Sequence, residues 1–344
     1  MNELRFAIFG TGFWARYQLA AWKELPGARC VALYNRTKSK AVQLAADFGV
    51  PATAIYDNPE ALLDQEKLDF VDIITDVDTH RKFSEMALNR GIAAICQKPM
   101  APTLAEAAEM LALSRKVNQP LFIHENWRWQ APLRALKKEL DSGSIGRIWR
   151  ARIVYSNSFP VFENQPFLRE LEQFILTDIG THVLDTTRFL FGEAKTLYCH
   201  THRVSKGIKG EDAATVMLEM ANGMTVSVEM SYASRLERER FPQTYVTIEG
   251  EDASLALEFD YSIRRTDRTG THSFRAPPRF YPWVDSRYEI VHASIVDCNA
   301  NLLAALQGTG KAETTAADNY ETLRLVYAAY ASANESRIIQ LAGG

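Results

Sequence analysis

Cysteine is scarce and scattered. The chain has four, Cys30, Cys96, Cys199 and Cys298, and no two form a CxxC pair. That spacing excludes a disulfide framework and a structural zinc site, and it fits a reducing compartment. Neither sign of charge is in excess: 39 Lys plus Arg stand against 42 Asp plus Glu. A near-neutral balance argues against nucleic acid as a partner. No apolar run approaches the roughly 18 residues of a membrane span, and the N-terminus enters a strand pattern at once. The expectation is a soluble cytoplasmic protein without a membrane partner. At about 150 residues per domain, 344 residues suggest two domains.

The first third alternates short apolar runs with helical segments. Leu4–Phe9, Cys30–Tyr34, Phe70–Thr75, Ile92–Cys96 and Leu121–His124 read as strands. Helices lie between them, one behind the capping box Thr103 and Glu106. This alternation predicts a doubly wound parallel sheet covered on both faces. From Arg147 the pattern turns strand-rich, with short turns such as Ala221-Asn222-Gly223, and reads as an antiparallel meander. A long helix, about Phe174 to Phe191, interrupts it, and two helices close the chain. The fold expected is α/β, a Rossmann domain over 1–124 followed by an α+β domain over 125–344 with a large, mostly antiparallel sheet.

Three local signals carry chemistry. Gly10-Thr11-Gly12-Phe13-Trp14-Ala15 follows a strand and opens a helix. Small residues there let the backbone approach a pyrophosphate at a helix N-terminus. The next strand ends in Asn35-Arg36-Thr37-Lys38, without the carboxylate that binds a ribose diol. Asn35 can still hydrogen-bond ribose, and Arg36 can pair with a 2′-phosphate or stack over adenine. By charge alone this leans to NADP. The second signal is Gln97-Lys98-Pro99 at the end of a strand, where doubly wound sheets bind ligands. The third is Asp178 and His182, four apart on a helix, with Asp185 one turn on. A neutral imidazole beside a carboxylate is a proton acceptor near neutral pH. Taken singly, each has a bland reading: a glycine turn, a surface lysine, an ordinary i,i+4 pair.

Together they resemble the Gfo/Idh/MocA oxidoreductase family over nearly the whole chain. The matching motifs are the GxGxxA turn, a KP pair after the fifth strand, the Asn126-Trp127-Arg128 element and the DxxxH spacing of Asp178 and His182. Two departures stand out. Gln97 replaces the usual glutamate of EKP, and Thr75-Asp76-Val77-Asp78-Thr79-His80 replaces a T-P-x-x-x-H run, keeping Thr75 and His80. The resemblance implies hydride transfer between a nicotinamide, NAD rather than NADP, and a carbon bearing a hydroxyl. It implies Lys98, Asp178 and His182 as the catalytic residues. Around the cofactor it implies Gly10, Thr11, Gly12, Phe13, Trp14, Asn35, Arg36, Lys38, Thr75, Asp76, His80, Gln97, Lys98 and Asn126. Around a sugar it implies Lys98, Trp127, Arg128, Phe162, Asp178, His182 and Tyr281. It also implies a homodimer or homotetramer formed through the second sheet.

His182 suits the base, and a protonated Lys98 stabilises a developing oxyanion. Gln97–Pro102, His124–Trp129 and Phe159–Pro166 are similar to the family's sugar dehydrogenases of the D-apiose type. His200 and His202 alternate on a strand like two metal ligands, but no carboxylate follows at ligand spacing, so no metal is expected. Arg264, Arg265 and Arg268 read as a turn of solvated arginines. Two other readings compete: a cofactor-sensing regulator without turnover, and a redox-assisted lyase or glycosidase on the same fold.

Overall fold

The computed structural model describes residues 3–341, so the outermost ends of both expected domains, 1–2 and 342–344, lie outside the described residues. Six strands form one parallel sheet: β1 (Leu4–Phe9), β2 (Ala28–Tyr34), β3 (Ile55–Tyr56), β4 (Phe70–Ile73), β5 (Ala93–Gln97) and β6 (Leu121–His124). Their order is β3-β2-β1-β4-β5-β6. Helices α1 (Phe13–Lys23), α2 (Ser39–Phe48), α3 (Pro59–Gln65), α4 (His80–Leu88) and α5 (Leu104–Val117) are the crossovers. The strands are apolar without alternation because helices cover both faces of a parallel sheet. Phe6, Ala7, Ile8 and Phe9 are all fully buried. Half of the expected capping box forms at the start of α5: Thr103 Oγ1 accepts from Glu106 N at 3.2 Å, while the Glu106 carboxylate meets the Thr103 hydroxyl rather than its backbone N–H. The strand order reverses between β1 and β4, which opens a crevice at their carboxyl ends.

Asp72, inside β4, breaks this apolar pattern and is fully buried. Trp22 Nε1 donates to its Oδ2 at 2.8 Å. Gln18 hydrogen-bonds it too, and donates from Nε2 to Asn299 Oδ1 at 3.2 Å.

Beyond β6 the chain forms α6 (Ala131–Asp141), β7 (Ile148–Ser156), the short α7 (Val161–Asn164) and α8 (Thr181–Phe191). The strands β8 (Ala194–His202), β9 (Ala213–Met220), β10 (Thr225–Ser231), β11 (Tyr245–Gly250), β12 (Ala253–Glu258), β13 (Ser262–Asp267) and β14 (Gly270–Arg275) follow. α9 (Glu289–Leu306), α10 (Ala316–Glu335) and β15 (Ile339–Gln340) end the described chain. The nine-stranded sheet runs β14-β13-β12-β11-β7-β10-β9-β8-β15. It is mostly antiparallel, but β10 pairs with β7 in parallel, so it is mixed rather than a pure meander. A reading that joins sequential neighbours by hairpins cannot see β7, first in the chain, inserted between β10 and β11. Burial alternates along β9, with Ala214, Val216, Leu218 and Met220 inside and the residues between them less buried or exposed. One face of this sheet is therefore packed and the other open.

Of the three arginines expected on a turn, Arg264 and Arg265 lie in β13, half of the β13–β14 hairpin, while Arg268 sits on the turn that joins the two strands. All of β14 is exposed, so no apolar alternation announced it. The expected single helix from Phe174 is a π-helical segment, Leu176–Gly180, leading into α8. No helix among the described residues is long and apolar enough to cross a membrane.

The chain divides into two compact units. The first runs through Asn126 and takes in Tyr281–Val284 and His292–Glu321; the second holds Trp127–Phe280, Asp285–Val291 and the chain from Thr322. The expected boundary near residue 124 gave no part of the C-terminal region to the first unit. The reason is long-range packing. Ala293, Ile295 and Val296 of α9 cluster with Ala21 of α1 and Tyr281, and Ile123 of β6 donates its N–H to Thr314 O at 2.8 Å.

Candidate active site

The glycine turn sits where β1 ends. Gly10 has φ +97°, and a Cβ there would lie 2.5 Å from Ile74 O. Only glycine fits such a position. Gly12 differs: a Cβ there would meet nothing within 4 Å, although the residue caps α1 with extended backbone. The first turn of α1 has no acidic residue, so its N-terminal N–H groups are not neutralised from within that turn. The turn lines a cavity of about 430 Å³ together with Phe13, Trp14, Asn35, Arg36, Thr75 and Asp76. Thr11 Oγ1 and Trp14 Nε1 are buried without a hydrogen-bond partner. An open space beside Gly12 and an orphaned hydroxyl at Thr11 fit a polar group that enters from outside the chain, as a pyrophosphate would.

Several sequence-predicted cofactor residues have partners within the protein. Asn35 Oδ1 accepts from Thr11 N at 3.2 Å, and its Nδ2 donates to Thr37 O at 2.9 Å. Asn35 therefore ties the glycine turn to the end of β2. His80 is buried, with Nε2 3.0 Å from Thr75 O and Nδ1 3.0 Å from Pro99 O. Burial pushes its pKa below the ordinary value. It links the segment after β4 to the one after β5 and holds Thr75 and Lys98-Pro99 in place. Asn126 donates from Nδ2 to Ser294 Oγ at 2.9 Å. Gln97 closes β5, and its Nε2 is buried without a partner. Lys98 follows it, half-buried. Lys38 does not line the cavity; Lys40 does. Two residues of helix rotate a side chain by about 200°, and choosing between two nearby lysines needs that phase.

The second unit carries Asp178 and His182. The His182 ring stacks on Trp127 at 4.3 Å and 19°. Trp127 is fixed by its Nε1–H to Thr244 Oγ1 at 3.0 Å. Asp178 lies on the π-helical segment and accepts from Tyr232 Oη at 3.2 Å. Asp185 is fully buried and receives Arg128 Nε at 2.7 Å and Thr322 Oγ1 at 3.1 Å. Arg128, expected at the sugar, is thus held in a buried ion pair. Phe162 is half-buried against Phe174 at 5.1 Å. Tyr281 is 5% exposed in the apolar cluster of the first unit, stacked on Trp283 at 5.5 Å, and is a core residue. Sequence reasoning missed Tyr232, Tyr155 and Lys40. The two tyrosines sit at strand ends with no motif around them.

A doubly wound parallel sheet with a glycine turn at its switch point, in one chain with a second unit that holds Asp178 and His182 on adjoining helical segments, defines a dinucleotide-dependent oxidoreductase. A family model described as an oxidoreductase family with an NAD-binding Rossmann fold matches residues 4–125. The GFO/IDH/MocA C-terminal domain model matches residues 133–256. The chain belongs to the Gfo/Idh/MocA family. It is 41% identical to D-apiose dehydrogenase of Paraburkholderia graminis, over 99% of this chain and 90% of that one. It is 38% identical to D-apiose dehydrogenase of Rhizobium rhizogenes, over 99% and 98%. An oxidoreductase from Agrobacterium radiobacter, solved with NAD+, L-tartaric acid and magnesium, superposes with a TM-score of 0.95 at 37% identity, covering 98% of both chains.

Proposed function

We propose that the protein is an NAD-dependent dehydrogenase that oxidises D-apiose, or a closely related aldose, to its lactone. The observation that carries this reading is the open, glycine-cleared cavity at the end of β1, in a chain whose second unit holds an imidazole flat against an indole. Two relatives near 40% identity, named for D-apiose, and an NAD+-bound neighbour at 37% supply the substrate class and the cofactor. The first unit is assigned to the dinucleotide and the second to the sugar. When bound, NAD+ would supply the hydride acceptor for the carbon bearing the hydroxyl. His182 takes the hydroxyl proton, and the Trp127 stack sets its ring plane. Lys98 offsets negative charge on the oxygen as that proton leaves. Asp178 accepts hydrogen bonds from sugar hydroxyls. Thr11, Gly12 and the N-terminus of α1 hold the pyrophosphate, and Arg36 and Lys40 flank the adenosine end.

The open face of the nine-stranded sheet is assigned to a homodimer or homotetramer. It carries exposed cross-strand pairs, Arg150 with Glu249 and Arg152 with Glu229, beside exposed Met217. Charged pairs and an apolar side chain on one flat face suit a self-complementary interface. Light scattering showing a monomer at micromolar concentration would reject it. The four unbridged cysteines support a cytoplasmic site. A panel of aldoses with NAD+ and NADP+, read by formation of reduced cofactor and product identification, tests the activity. Steady NADH formation with D-apiose is the expected result. Bound cofactor with no net NADH from any aldose would overturn it.

A further inference from the structure

Asp178 sits on a π-helical segment, Leu176–Gly180, where its side chain needs an external guide. Tyr232, just past β10, supplies one: its Oη donates to Asp178 Oδ2 at 3.2 Å. Its ring lies parallel to Phe174 at 5.8 Å and perpendicular to Tyr155 at 6.0 Å. Tyr155 is 1% exposed, hydrogen-bonds both Tyr232 and Asn157, and meets Trp127 edge-on at 5.8 Å. Asn157 Oδ1 accepts from Phe159 N at 3.0 Å, which leaves its Nδ2 as the group free to donate.

We propose that Tyr232 is a positioning residue for Asp178, with Tyr155 and Asn157 behind it fixing the direction of its hydroxyl. The proposal rests on the dehydrogenase reading above. An ionised carboxylate only accepts, and a phenol has one proton to give. Tyr232 gives its one proton to Asp178, so toward Tyr155 its oxygen can only accept. Burial raises the pKa of both phenols, which keeps their protons in place. With Oδ2 pinned, the carboxylate presents one orientation to a sugar hydroxyl. The same aromatic group touches the base, because Trp127 bridges Tyr155 and His182.

Tyr232→Phe keeps the ring contacts and deletes one hydroxyl. The expected result is a fall of about tenfold or more in kcat/KM for the sugar, the scale of a hydrogen bond to a charged group, expressed chiefly in KM. NADH affinity and the unfolding midpoint should stay at wild-type values. Tyr155→Phe should give a smaller loss in the same direction. In an Asp178→Asn background the further effect of Tyr232→Phe should drop to about twofold or less, because the two substitutions remove one interaction. Equal losses in both backgrounds would make Tyr232 a packing residue only and overturn the proposal. So would wild-type kcat/KM in Tyr232→Phe while Asp178→Asn is crippled, which leaves the dehydrogenase reading standing. Full activity in Asp178→Asn would remove Asp178 from the reaction and take the positioning role with it.

Discussion

Asp72 offers the sharpest quantitative test of the fold. Its carboxyl is fully buried in β4 with Trp22 and Gln18 as donors, while Oδ1 has no hydrogen-bond partner. Burial raises its pKa from 3.8 to about 6, against smaller lowering effects of the two donors. An acid whose folded pKa is raised holds its proton in the folded state after the unfolded chain has released it. Between about pH 4 and pH 6 the folded state therefore binds more protons, and stability falls as pH rises. Above about pH 6 the loss is complete. At 1.36 kcal/mol per unit, the shift amounts to about 3 kcal/mol. Asp72→Asn keeps an acceptor for Trp22 but cannot ionise. It also places an amide N–H₂ where Oδ1 lies, and an unsatisfied buried donor costs about 1–3 kcal/mol at every pH. The diagnostic is thus the change with pH. The stability of Asp72→Asn relative to wild type should rise by about 2.4 kcal/mol from pH 4 to pH 7, because the unfolded carboxyl is already partly ionised at pH 4. Denaturant unfolding across that range measures it, and the Trp22 indole N–H resonance should titrate in wild type alone. A constant difference between the two proteins, or a Trp22 resonance that titrates near the ordinary Asp value, would refute the buried-carboxylate argument.

Three further outcomes follow from the geometry. Gly12→Val should fold normally, since its Cβ meets no protein atom, yet lose NADH binding by calorimetry; undiminished affinity would reject the pyrophosphate cradle. Arg128→Ala should leave the buried Asp185 carboxylate without its guanidinium, lowering stability by about 3–5 kcal/mol; a wild-type unfolding midpoint with a raised sugar KM would instead return Arg128 to the sugar. His182→Ala should slow turnover by about 10²- to 10⁴-fold, and Lys98→Ala by a comparable factor. Their combined loss should be smaller than the product, and near-normal turnover in His182→Ala would pass the role of base to Lys98.

What the sequence disclosed was what short-range patterns encode. The β1 run, the helix cap at Thr103 and the glycine turn are each made by residues close in sequence, and each appears where expected. What it withheld depends on distant partners. Nothing near Tyr281 shows that it packs on α1, and nothing near Thr314 shows that it bonds to β6. The β13–β14 hairpin was hidden because a fully exposed strand has no buried face to set a period. The π-helical segment was hidden because its apolar positions, Leu176 and Ile179, fit an ordinary helix as well.

The site residues sort by where their polar atoms go. Asn35, His80, Asn126 and Arg128 each bond to other parts of the protein. Their presence beside a motif is explained by the frame they hold, without a ligand. Thr11 and Gln97 have buried polar atoms that no protein group satisfies, and Gly12 has space that no side chain fills. Unsatisfied buried groups are costly unless something outside the chain completes them. The second set, rather than the motif residues as a whole, is therefore where we propose that a bound molecule contributes most. Asn35 shows the difference. At the end of β2 a carboxylate usually meets the ribose, but here an amide is required. Its oxygen must accept from Thr11 and its nitrogen must donate to Thr37, and no carboxylate can do both.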